Sequence, residues 1–114
     1  MKIQTVTLIG LVAVSASAMA EIPVSQYDQF KATETFKTYI TGVGRGFQWA
    51  NAMLRNEGMP PLYCAPDNVG FDQNDYLSLL ENEVEKKNLR TDSPDAAVEM
   101  VLLFALKHAF PCGK

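Results

Sequence analysis

Cys64, Cys112 and His108 are the residues of this 114-residue chain best suited to covalent or metal chemistry, there being two cysteines and one histidine in all. A catalytic thiol needs a positioned base. His108 lies four residues before Cys112, but Pro111 stands between them and no acid is placed to orient the imidazole. A zinc site built from the same three side chains lacks a fourth ligand and any C-x-x-C spacing. The simplest chemistry is mutual: a Cys64–Cys112 disulfide would close a loop of about 49 residues and add roughly 4 kcal/mol in the chain-entropy account. His108 then reads as a last-turn residue that favours the helix dipole when protonated.

Carboxylates are the other plentiful reactive group. Eight fall within residues 72–99, against Lys86, Lys87 and Arg90. No pair sits in an evident apolar pocket that would raise a pKa for acid–base work, so they read first as a solvated face. Asp72, Asp75, Glu81 and Glu85 are the candidates for an acidic docking surface that would steer a basic partner. The acidic run at 67–75 misses the alternation and central glycine of an EF-hand, and a turn with a helix cap explains it better. Gly42-Val43-Gly44-Arg45-Gly46 lies inside a helical period with no strand before it, which excludes a dinucleotide fingerprint. These residues imply no cofactor, no metal and no enzyme.

Residues 34–57 carry the clearest helical period. Phe36, Ile40, Val43, Phe47, Ala50 and Leu54 recur at steps of three and four, with Asn56-Glu57-Gly58 as a stop. A second row, Tyr39, Gly42, Gly46, Trp49 and Met53, widens the apolar arc beyond what one neighbour needs, which implies two packing partners. Each mid-helix glycine costs roughly 1 kcal/mol relative to alanine, so Gly42, Gly44 and Gly46 call for an offsetting close approach. Tight packing inside the monomer is the first expectation. A homodimer seam or partner surface at Gly42, Gly46, Trp49 and Met53 is the alternative.

Three prolines and a glycine in residues 59–73 prescribe a structured connector. Asp72 or Asn74 can cap the next helix, whose apolar face is Tyr76, Leu77, Leu80 and Val84. Glu81, Glu83 and Glu85 cannot all share one face of it. Ser93-Pro94 predicts the start of the last helix, running to about Ala109, with a core of Ala97, Val98, Val101, Leu102, Ala105 and Ala109. Leu103, Phe104 and Leu106 make it apolar nearly all round, as in a central helix. Ser25-Gln26-Tyr27-Asp28 resembles the capped start of a short first helix that buries Tyr27 and Phe30. The expected fold is all-α: a compact bundle of three main helices plus a short N-terminal helix, with one disulfide.

Residues 1–20 read as an export signal, with Lys2, an apolar stretch and the A-x-A site Ala18-Met19-Ala20. Cleavage before Glu21 would leave a single domain of residues 21–114. Losing Lys2 takes the net charge from −3 to −4. That charge, without any Lys/Arg cluster, argues against nucleic-acid binding. No other apolar run approaches about 18 residues, so no membrane association is expected after cleavage. The expected location is the oxidising periplasm, where one disulfide would matter to a small core.

Three blocks carry a resemblance: Tyr39-Ile40-Thr41-Gly42-Val43, then Pro61-Leu62-Tyr63-Cys64-Ala65-Pro66, then Ala105-Leu106-Lys107-His108-Ala109-Phe110-Pro111-Cys112. In this order they look like the Rap/Tai-type family of periplasmic immunity proteins, which neutralise peptidoglycan amidases delivered by type VI secretion. The resemblance spans residues 27–112. It implies a small helical protein that occludes a cognate amidase without turnover, often as a homodimer, with Cys64 and Cys112 matching the family's loop and terminal cysteines. Phe36 stands where many relatives carry a further cysteine, and no cysteine precedes it, so the first helix is less tethered. The alternative is a general periplasmic helper, such as a small helical, single-disulfide acid-stress chaperone. For that role one histidine is a poor switch, although the carboxylates could serve.

Overall fold

In the computed structural model, which describes residues 21–66 and 70–113, the helical periods become helices and the described part of the connector is neither helix nor strand. A 3₁₀ turn, Val24–Gln26, runs into α1 (Tyr27–Phe30), followed by α2 (Glu34–Asn56), α3 (Gln73–Lys86), α4 (Leu89–Asp92) and α5 (Val98–Ala109). The fold is an all-α bundle with a short N-terminal helical segment, and the described residues contain no strand. The expected signal segment lies outside the described residues.

Local chemistry sets the helix ends. The Thr33 hydroxyl accepts from the Phe36 N–H at 3.2 Å, which caps α2. At the other end Gly58 has φ of 73°, Gly58 N–H donates to Arg55 O at 3.1 Å and Met59 N–H donates to Leu54 O at 2.8 Å. That pair of bonds is a Schellman stop and needs a residue that tolerates the left-handed region. Asp72 and Asp75 exchange side-chain and backbone bonds at 3.0 and 2.9 Å, a reciprocal capping box for α3. Asn88, with φ of 53°, turns the chain from α3 into α4.

The core joins Val24 and Tyr27 to Phe36 and Ile40 of α2, Tyr63 of the connector, Tyr76, Leu80 and Val84 of α3, and Val98, Val101, Leu102 and Leu106 of α5. α3 has the most extensive packing, against both α2 and α5, which also touch each other. This corrects the expectation that the last helix is central: Met100 and Phe104 of α5 remain exposed, as does Ala109.

The last helix also starts later than Ser93-Pro94 predicts. Its first residue is Val98, and no side chain caps it. The carbonyls ahead of it serve the N-terminal segment instead. Ser25 N–H donates to Pro94 O at 2.9 Å, Val24 N–H to Ala96 O at 2.8 Å, and Val98 N–H to Ile22 O at 2.8 Å. Pro23 and Ala97 form an isolated antiparallel bridge. A helix through 94–97 would withdraw those carbonyls, so tertiary pairing overrides the local start signal.

Cys64 and Cys112 are disulfide-bonded, with Cα atoms 4.9 Å apart. The bond fastens the connector to the end of α5, where Cys64 N–H also donates to Phe110 O at 2.8 Å.

Candidate interaction surface

Helix α2 has two unlike faces. Phe36, Ile40, Gly44 and Asn51 are buried, and Val43, Phe47 and Leu54 are partly buried beside them. The buried face is thus centred nearly one residue from the expected row, since Ala50 is exposed and Gly44 takes a core position. The reason is Tyr76. A Cβ at Gly44 would lie 2.5 Å from Tyr76 Cδ1 and Cε1, so the α3 ring rests directly on the α2 backbone. Tyr76 is fully buried, and its hydroxyl donates to Gln48 Oε1 at 3.2 Å.

α2 does have two helical neighbours, α3 and α5, but the second row is largely left to solvent, which corrects the expectation that it packs inside the monomer. Trp49 is 74% exposed, Met53 57% and Tyr39 42%. Gly42 and Gly46 lie between them, and a Cβ at either would meet nothing within 4 Å. The monomer therefore makes no use of these two glycines. Helical rise spreads the row from Tyr39 to Met53 over about 21 Å. Its composition, aromatic rings and a methionine beside an exposed Arg45, is that of interface hot spots more than of an ordinary surface. Exposed apolar side chains gathered on one face mark contact sites more often than isolated ones do.

The acidic candidates are divided by the fold. Asp72 and Asp75 cap the start of α3. Glu81 and Glu85 lie farther along it and meet a cation. The Arg90 guanidinium holds Asp28 with both oxygens, at 2.6 and 2.9 Å, and Glu85 at 2.6 Å, with Glu81 3.9 Å away. Arg90 beside Asp28 holds that carboxyl down to about 2. Glu81 accepts from the Tyr27 hydroxyl and is likewise lowered, by that bond first and by Lys31 and Arg90 after it. Burial, then the same carboxylate, pushes the Tyr27 phenol far above its ordinary range. Arg90 and Lys31 also sit over the Tyr27 ring, 5.8 and 5.3 Å from its centroid. This cluster fastens α1 to α3 and α4.

Two further polar arrangements escaped the sequence reading. Buried Asn51 of α2 grips the connector through three bonds to Leu62 and Tyr63. Its signal was present: Asn51 falls in phase with Ile40 and Gly44. Glu83, also buried, meets His108 Nδ1 at 2.7 Å, and the imidazole stacks on Phe104. An open, largely apolar groove of about 250 Å³ runs beside this pair, lined in part by Lys87, Leu89, Met100 and Phe104. With both cysteines in the disulfide, His108 has no thiol partner. Among the described residues no group of three His, Cys, Asp or Glu side chains is placed to hold a metal, and no helix is long and apolar enough to cross a membrane.

Compared with known proteins, the chain matches no family model, and no curated protein or solved structure is significantly similar to it.

Proposed function

We propose that this chain is an exported binding protein of the periplasm, cleaved before Glu21, whose exposed α2 row docks on a peptidoglycan amidase and blocks it. The observation that carries the binding role is the row itself: Trp49 and Met53 stand in solvent beside two mid-helix glycines that the monomer's packing does not require. Glycines there let another backbone approach closely, and the flanking rings supply the area. The choice of amidase as partner rests on the three-block resemblance. The periplasm rests on the A-x-A segment, and the disulfide suits an oxidising compartment.

The test uses the mature, oxidised protein as bait in periplasmic extract at pH 7 and pH 3, with Trp49→Ala in parallel. Any captured hydrolase is identified, purified and assayed on peptidoglycan. Stoichiometric capture of a secreted amidase at pH 7, inhibition of its hydrolysis, and at least about 30-fold weaker binding by Trp49→Ala are expected. Capture of only many unrelated proteins at pH 3 would overturn the reading in favour of a general acid-stress helper. A self-association that Trp49→Ala dissolves, with no amidase bound, would make the row a homodimer seam.

A further inference from the structure

We propose that the α-ammonium of Glu21, exposed when the export signal is removed, pairs with the carboxylate of Glu99 and so locks the N-terminus of the mature chain onto the start of α5. The inference rests on the cleavage site proposed above. Hydrolysis of the Ala20–Glu21 amide leaves a carboxylate on Ala20 and a cationic amine on Glu21.

Three observations converge on this pairing. First, Glu99 Oε1 is a buried carboxylate oxygen with no hydrogen-bond partner, while Oε2 accepts from the Tyr39 hydroxyl. An orphaned charged oxygen of this kind is costly unless a donor reaches it. Second, the register delivers the new terminus to that place. Pro23 bridges Ala97, Val24 N–H bonds Ala96 O, and Val98 N–H bonds Ile22 O, so the two segments run antiparallel in one register. Ile22 is thus held against Val98, the first residue of α5, which leaves Glu21 one residue from that contact and Glu99 at the second position of the helix. Third, the Tyr39 phenol is pushed up to about 12, first by its bond to Glu99, then by burial, and last by the charge of the Glu21 carboxylate. Glu21 and Glu99 therefore both act on Tyr39, and no cation is among the groups that shift it. A terminal ammonium supplies the missing charge and up to three donors.

The sign of the pH dependence follows. An α-amine titrates near 7.7–8.0 in an unfolded chain, and pairing with Glu99 raises its pKa in the folded one. The stabilisation is complete below about pH 7.7 and is lost as pH rises through the folded value. The facing groups are the Glu21 side chain, Glu99 and Tyr39, and Tyr39 stays neutral until about 12.

The experiment compares the secreted native protein with one in which Gly-Ser is inserted between Ala20 and Glu21, which moves the ammonium two residues away. Intact mass fixes each N-terminus. The native protein is expected to melt roughly 4–8 °C higher at pH 6, with the gap closing at pH 10.5 and absent when both chains carry Glu99→Gln. A mass showing another start would remove the cleavage site and the pairing together. A chain that does begin at Glu21, yet shows no gap at pH 6 or keeps it with Glu99→Gln, would overturn the pairing alone.

Discussion

Asn51 and Tyr63 are tied backbone to side chain: Asn51 Nδ2 donates to Tyr63 O at 2.7 Å, while Oδ1 accepts from Leu62 N–H at 2.5 Å and Tyr63 N–H at 3.4 Å. One carboxamide thus satisfies three backbone groups of Leu62 and Tyr63 where neither helix nor sheet does so. Asn51→Leu keeps the branch at Cγ but orphans these groups, and is expected to cost about 1–3 kcal/mol or more in urea denaturation. Asn51→Asp retains only the acceptor side and should also destabilise, because its charge is buried beside the Tyr63 carbonyl.

The glycines of α2 should separate cleanly by sign. Gly44→Ala drives a Cβ into the buried Tyr76 ring and is expected to cost about 1–3 kcal/mol. Gly42→Ala and Gly46→Ala meet open space and should each stabilise the isolated protein by about 0.5–1 kcal/mol. Thermal melts of the three variants check this. If the outward row is the docking face, the two stabilising changes should weaken partner binding.

The disulfide spans a sequence separation of 48. Cys64→Ser with Cys112→Ser, or mild reduction, is expected to remove on the order of 4 kcal/mol. That is a large share of the stability of so small a domain. An unchanged denaturation midpoint would contradict it.

Arg90→Gln releases Asp28, Glu85 and Glu81 together and takes the guanidinium off the Tyr27 ring. These contacts are exposed enough that roughly 1 kcal/mol is the expected loss, with the N-terminal segment exchanging its amide hydrogens faster. The pH profile supplies a sharper check. A lowered carboxyl pKa contributes stability that is present above the unfolded value near 3.9 and disappears as pH falls toward about 2. Between those limits the native protein should lose stability more steeply than Arg90→Gln.

The three long helices were legible because their periods are local. The row from Phe36 to Leu54, the Tyr76-to-Val84 face and the caps at Asp72 and Gly58 each follow from neighbours a few residues apart. The surface was less legible. Tyr39, Gly42, Gly46, Trp49 and Met53 are visibly one face of a helix, but an apolar face looks the same in sequence whether buried or bare. The short α4, the Arg90 cluster and the Glu83–His108 contact involve partners with no periodic relation, so no local pattern announced them.

Local pattern was enough for the all-α class, the three long helical periods and, with two cysteines in one chain, the disulfide pairing. Tertiary structure decided which helix packs most extensively, where α5 begins and which α2 row meets solvent. Those outcomes depend on competition between distant groups. The Tyr76 ring rests where Gly44 has no Cβ, and the N-terminal amides of Ser25 and Val24 claim the carbonyls of Pro94 and Ala96 that a longer helix would have used.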